Sequence, residues 1–142
     1  MLALSLIPGD AERLSVKEFR SALSRGSMLP QVLQRYAQAL MTQIAQAAVC
    51  NRHHLIHERC ARWLLMIHDR VGSRPFALTQ VLFARAQGVR HGTINGVFRT
   101  FQQAGFIGYR RGTITILDRS GLDELVCECY GVIAREYQRL LG

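Results

Sequence analysis

The chain has 142 residues, 49% of them hydrophobic, and a formal charge of +8, which suits one buried core with at most a short helical extension. Its cations are 17 arginines and a single lysine, Lys17, against ten acids. No apolar run approaches the roughly 20 residues of a bilayer-spanning helix, and Met1–Ile7 is too short and lacks the preceding cations of a secretory signal. The expectation is a cytoplasmic protein with no membrane partner.

In chain order, residues 1–14 read as a short strand, a turn at Pro8-Gly9-Asp10 and a second short strand at Arg13-Leu14. Such a pair is marginal in water and suggests the edge of something larger. Ser15-Val16-Lys17-Glu18 has the Ser-x-x-Glu form of a capping box and opens a helix through Phe19, Ala22 and Leu23 that ends near Gly26. From Leu29 a longer helix begins. Leu29, Leu33, Tyr36, Leu40, Ile44, Ala47 and Asn51 recur at spacings of three and four, close to a heptad seam, with alanines around them that allow a second helix to approach. Two copies of the chain would bury this seam together. Packing on the preceding helix is the intramolecular alternative, but Ser15–Arg25 is too short to cover the whole stripe.

Asn51, Arg52, His53 and His54 are moderate helix formers and predict a break between Cys50 and Leu55. His53 and His57 share a helix face, yet no carboxylate or third ligand stands at supporting spacing. The histidines, His54 and His68 included, therefore read as polar surface, and no metal site is expected. The next helix, Ile56 to Val71, places Ile56, Cys60, Trp63, Leu64, Ile67 and Val71 on one core stripe and stops at Gly72. Ser73-Arg74-Pro75 is a turn, and Phe76-Ala77-Leu78 adds a short strand.

The stretch from Leu78 to Gly105 reads as two short helices at a tight turn. Thr79 is a good N-cap; Val81, Leu82 and Ala86 are expected to face the core, and small Ala84 allows a close crossing. Gly88 supplies the positive φ that a sharp reversal needs. The second helix, about His91 to Ala104, turns Ile94, Val97, Phe98 and Phe101 inward, and Gly105 ends it. Its outer face shows Arg90, His91, Thr93, Asn95, Arg99 and Gln102 and no acid. A helix-turn-helix whose second helix carries such residues is shaped for the major groove of DNA. Charge agrees with that reading: from Arg70 to Arg119 there are eight arginines and one acid, Asp118. Arginine forks suit phosphates and guanine edges, although a merely solvated basic face is the plainer alternative.

Phe106–Tyr109 and Thr113–Leu117 are β-rich runs around Arg110-Arg111-Gly112, a two-stranded wing whose Arg110 and Arg111 would reach phosphates or a minor groove. Asp118 or Ser120 then caps a helix through Leu122, Leu125, Val126, Cys129, Ile133, Tyr137 and Leu140, with its acids in the N-terminal half. On that continuous helix Cys127 and Cys129 point to different faces. Without a pair of C-x-x-C motifs, these two and Cys50 and Cys60 read as reduced structural thiols. No nucleophile stands beside a base and no glycine-rich phosphate loop is present, so neither catalysis nor a cofactor is expected.

Cys50-Asn51-Arg52, Ala61-Arg62-Trp63-Leu64-Leu65, Leu78-Thr79-Gln80, Gly88-Val89-Arg90, Ala104-Gly105, Tyr109 through Arg119 and Cys127-Glu128-Cys129-Tyr130 together resemble the C-terminal half of Crp/Fnr-family bacterial transcription regulators. The resemblance covers the chain from about Glu12. It implies a mainly α fold with a small β wing, a winged helix-turn-helix preceded by a long dimerisation helix, acting as a homodimer on a palindromic site. It divides the chain into residues 1–27, a remnant of an effector domain resembling cyclic-nucleotide-binding domains; 28–55, the dimerisation helix; and 56–142, the DNA-binding domain. It also implies RNA polymerase as a partner. The family's phosphate cassette for a cyclic nucleotide has no counterpart in residues 1–30, and no N-terminal cysteine cluster is present, so no effector is expected to bind. Aligned on Gly88, the positions where family members carry arginine, glutamate and arginine hold His91, Gly92 and Gly96. The expected DNA contacts are thus Thr79 and Gln80 to phosphate, with Arg90, His91, Thr93, Asn95, Arg99, Arg110 and Arg111; the expected seam is Leu29, Leu33, Tyr36, Leu40, Ile44 and Ala47. The alternative from another class is a non-catalytic interaction module that heterodimerises with full-length paralogues and blocks their DNA binding.

Overall fold

The computed structural model describes residues 10–24, 26–72 and 75–142. The strand and turn expected in residues 1–9, and Ser73-Arg74 of the expected turn, lie outside the described residues. Seven helices and three strands follow one another in the described chain: α1 (Val16–Ser24), α2 (Leu29–His53), α3 (Ile56–Val71), β1 (Phe76–Ala77), α4 (Gln80–Gln87), α5 (His91–Gln103), β2 (Ile107–Arg110), β3 (Thr113–Ile116), α6 (Arg119–Leu125) and α7 (Cys129–Leu141). The fold is mainly α with a small antiparallel sheet, as the sequence leads one to expect. The second strand at Arg13-Leu14 does not form. Those residues are irregular and Leu14 is exposed, and among the described residues none pairs with them.

The helix ends show why the chain breaks where it does. The Ser15 Oγ accepts from the Glu18 N–H at 3.2 Å while the Glu18 carboxylate accepts from the Ser15 N–H at 2.8 Å, a complete capping box for α1. Hydrogen bonding of this kind, from the Ser15 hydroxyl first and its backbone second, holds the Glu18 carboxyl below its ordinary range. At α3 only the carboxylate half exists: Glu58 accepts from the Leu55 N–H at 2.7 Å. Gly72 closes α3 in the left-handed conformation.

One core lies between α3, α4, α5 and the sheet. Cys60, Ala61, Leu64, Leu65 and Ile67 of α3 meet Phe83 and Ala84 of α4, the four inward residues of α5, and Ile107, Ile114 and Leu122. Aromatic rings run through it at edge-on or tilted angles, Trp63 against Phe83 (6.1 Å), Phe83 against Phe98 (5.4 Å) and Phe98 against Tyr109 (5.4 Å). Burial pushes the Cys60 thiol up to about 12, so it behaves as a small hydrophobe. The α4 expectation needs correction. Phe83, Ala84 and Gln87 face inward, while Val81 and Ala86 are exposed and Leu82 is half-buried. Phe83 wins the inward position because its ring fills the gap between Trp63 and Phe98.

The C-terminal helix is two helices. Asp118 caps α6, its carboxylate accepting from the Gly121 N–H at 3.0 Å. The chain then becomes extended at Val126 before α7 starts at Cys129. This break overturns the expectation that Cys127 and Cys129 point to different faces: both thiols turn inward beside Cys50 of α2. It also lets α7 pack along α2, a partner for the long helix that its sequence did not suggest.

Arg119 ties α6 to α3 and α7. Its guanidinium meets Asp69 at 2.8 Å and donates to the Tyr130 hydroxyl at 2.7 Å, and that hydroxyl donates to Asp69 at 2.7 Å. Next to this knot, Gly121 has no room for a side chain: a Cβ there would run into the Phe106 ring and lie 2.7 Å from the Asp118 carboxylate that caps α6. Gly121→Ala is expected to destabilise the fold by about 1–3 kcal/mol, read as a lowered denaturant midpoint with an unchanged slope.

Candidate nucleic-acid interface

The two helices of the expected helix-turn-helix, α4 and α5, are held by local chemistry. Thr79 caps α4 through its hydroxyl, which accepts from the Leu82 N–H at 3.3 Å. Gly88 ends α4 at φ +66°, where an L side chain would be strained, and the chain reverses into α5 within three residues. Along α5, Ile94, Val97, Phe98 and Phe101 are buried. The opposite face is open: Arg90, His91, Thr93, Asn95, Arg99 and Gln102 are all exposed. Gly92 and Gly96 lie on this open side, with nothing within 4 Å of where a Cβ would stand. Among the described residues none of the arginines at 90, 99, 110 and 111 is held in an ion pair.

The wing forms beside it. β2 and β3 pair antiparallel in the order β1-β3-β2, with Arg110 opposite Thr113 and Phe76 opposite Ile114. The Gly112 carbonyl accepts from the Leu78 N–H at 2.8 Å, which fastens the wing to the start of α4. Between the strands stand two residues, Arg111 at φ +49° and Gly112 at φ +81°. Positive φ at both central positions is the requirement of a type I′ hairpin turn, whose twist matches that of the strands. Glycine accepts this freely. Arginine does not, and such a residue costs roughly 1–2 kcal/mol over an unstrained one. A guanidinium therefore stands at the wing tip against the local backbone preference. Arg111→Asn, which creates Asn-Gly at the turn, is expected to raise stability by about 0.5–1 kcal/mol while weakening DNA binding. Thermal melts and binding titrations on one preparation check both halves.

Thr79 is exposed and Gln80 half-exposed at the start of α4, Arg110 and Arg111 are exposed in the wing, and Arg90 at the N-cap of α5 is exposed together with His91, Thr93, Asn95 and Arg99 of that helix. The seam positions on α2 divide. Leu33, Tyr36 and Ile44 are exposed at 36%, 47% and 55%, while Leu29, Leu40 and Ala47 are partly covered. Val32, Met41 and Val49 add to the open apolar surface of the same helix. Sequence reasoning missed the grouping of Cys50, His54, Cys127 and Cys129, which converge at the far end of α2. The short separation of Cys50 from His54 and of Cys127 from Cys129 was its only trace.

Residues 58–125 match the Crp-like helix-turn-helix domain. Among solved structures, the chain is similar to one described as a transcriptional regulator of the crp/fnr family from Eubacterium rectale ATCC 33656, with a TM-score of 0.58 and 20% identity over 77% of this chain. The match spans 50% of that protein's length. A comparison with curated proteins finds no match.

Proposed function

We propose that this chain, whose residues 58–125 match a Crp-like helix-turn-helix domain, is a DNA-binding transcriptional regulator that binds a palindromic duplex site as a homodimer, with α5 in the major groove and α2 at the two-fold axis. The observation that carries this reading is the acid-free outer face of α5, flanked by the Arg110-Arg111 wing tip and backed by a fully buried inner face. A side so sharply divided between core and cations positions a rigid rod against a polyanion.

The residues divide by role. Thr79 and Gln80 at the start of α4, with Arg110 and Arg111 in the wing, fix register on the phosphates. His91, Thr93 and Asn95 face base edges, where Asn95 has the geometry to pair with adenine. Arg90 and Arg99 neutralise the backbone on either side. The seam on α2 supports the dimer: apolar side chains at helical spacing stay open to water in one copy and would be covered by a second.

Fluorescence-anisotropy titration against duplexes selected from a random pool tests the reading. Affinity is expected to fall by roughly 10³–10⁵ between 50 and 200 mM salt if the dimer neutralises about eight phosphates. Arg99→Ala and Arg111→Ala are expected to weaken binding to all sequences alike and to flatten that salt slope, whereas His91→Ala and Asn95→Ala change the preferred sequence. Four variants behaving identically would refute the division of roles. Loss of a full-length paralogue's operator binding on mixing with this chain would instead support heterodimerisation, which the glycines at 92 and 96 on the reading face favour as the second reading.

A further inference from the structure

Cys50 and His54 stand one turn apart at the C-terminal end of α2, and Cys127 and Cys129 flank the start of α7. Their three sulfur atoms and one imidazole nitrogen all lie within 4.8 Å of one another, in a place the DNA-binding reading does not use. We propose that these four residues form a mononuclear zinc site of the Cys3His type, which locks the end of α2 to the junction between α6 and α7.

Two opposite edges of the set have the lengths of tetrahedral edges, and the remaining pairs lie within 4.8 Å. Zinc bonds of about 2.3 Å to sulfur and about 2.0–2.1 Å to nitrogen set edges of roughly 3.8 Å between sulfurs and roughly 3.5 Å between sulfur and nitrogen. Cys50 Sγ stands 3.6 Å from Cys127 Sγ, and Cys129 Sγ stands 3.5 Å from His54 Nδ1. The set is also too compact for ligands wrapped around a sulfide-bridged cluster, so a single ion is the occupant it fits.

The surroundings are those of a metal site. His54 presents Nδ1 to the thiols while its Nε2 lies 3.3 Å from the Glu128 carboxylate, the outer partner that fixes a ligating histidine's tautomer and ring plane. The Gln46 amide donates to Cys129 Sγ at 3.2 Å, a bond that orients the sulfur. Arg62 supplies the charge argument. It is 2% exposed and adjoins Cys50, its Nε has no partner, and its Nη1 donates to the Met66 sulfur at 3.6 Å. Among the described residues no carboxylate pairs with it. A buried cation left in that state is costly. Three thiolates and a neutral imidazole around a divalent ion carry one net negative charge, the counter-charge this guanidinium lacks. The N-terminus of α7 adds further stabilisation for sulfur anions at Cys127 and Cys129.

On binding, each thiol gives its proton to solvent, three Zn–S bonds and one Zn–N bond form, and the ion loses its waters; no redox partner is involved. The probes are Zn²⁺ and Co²⁺ added to the full chain, reduced and stripped of metal under anaerobic conditions. The expected result is one ion per chain, proton release on loading, and for Co²⁺ the intense visible bands and near-ultraviolet thiolate charge transfer of a tetrahedral site. Cys127→Ser and Cys129→Ser abolish stoichiometric uptake, and Cys60→Ala, in the separate main core, leaves it unchanged. Glu128→Gln, on an exposed side chain that the fold does not need, lowers affinity by roughly 10–100-fold. A folded, reduced wild-type chain that shows no such bands and retains no zinc through gel filtration overturns the proposal. So does Co²⁺ binding that survives loss of both Cys127 and Cys129, or a Cys50–Cys127 disulfide in protein purified under reducing conditions. None of these readouts involves DNA, so the site stands or falls apart from the function proposed above.

Discussion

Leu33→Glu combined with Ile44→Glu is expected to leave the fold intact, halve the native mass and lower DNA affinity by about 10²–10⁴-fold. Both side chains are open to water in the single chain, at 36% and 55%, so neither change removes a core contact. In the proposed dimer the same positions meet across α2, where four carboxylates would have to be desolvated against one another. Loss of the dimer turns one bivalent encounter with two half-sites into two independent, weak ones. The affinity loss is therefore large even though every DNA-facing residue remains. Sedimentation equilibrium and an anisotropy titration of the same variant read the two effects, with far-ultraviolet circular dichroism to confirm the helices. A variant that stays dimeric removes α2 from the interface, and a monomer that binds as tightly as wild type removes dimerisation from the mechanism.

The second large effect concerns stability. Phe98→Ala is expected to destabilise the chain by about 3–5 kcal/mol, a substantial fraction of the 5–15 kcal/mol that holds a typical domain together. Phe98 is fully buried on the inner face of α5, 5.4 Å from both the Phe83 and Tyr109 rings. Its removal opens a cavity where α4, α5 and β2 meet, so the reading helix loses its backing before any DNA contact is touched. Urea unfolding followed by tryptophan fluorescence measures this directly, since Trp63 lies one ring away through Phe83. A cost below 1 kcal/mol would mean that the pocket closes over, and that α5 is held mainly by its ends.

The core face of α5 was legible because nothing competes with it: Ile94, Val97, Phe98 and Phe101 are the only large apolar residues between Arg90 and Gln103. Helix ends were legible for the same local reason, as at Ser15, Thr79, Gly88 and Asp118, where one side chain or one glycine decides the geometry. The phase of α4 was not. Val81, Leu82 and Phe83 are consecutive, and only the gap between Trp63 and Phe98 selects among them. The division of the last helix was hidden too, since Leu122, Leu125, Val126, Cys129 and Ile133 keep a helical rhythm across the extended Val126. That concealed break accounts for the missed thiol grouping, because a continuous helix cannot turn Cys127 and Cys129 toward Cys50. The apolar stripe of α2 was visible, whereas the packing of α7 along another side of α2 depends on contacts between residues as far apart as Gln46 and Cys129. The wing tip shows the opposite case. Gly112 announced the turn, but Arg111 at positive φ breaks a local rule for which the proposed phosphate contact offers a reason.

Interference by 7-deazaadenine placed in a duplex selected by the wild-type chain tests the central claim most directly, because it reports contacts at adenine N7 in the major groove. Two clusters of interference are expected, centred one helical turn (about 10 base pairs) or a multiple of it apart and related by a two-fold axis, with Asn95→Ala erasing the same positions in both. A folded chain that selects no duplex at low salt, or one giving a single cluster indifferent to Asn95, would contradict the account.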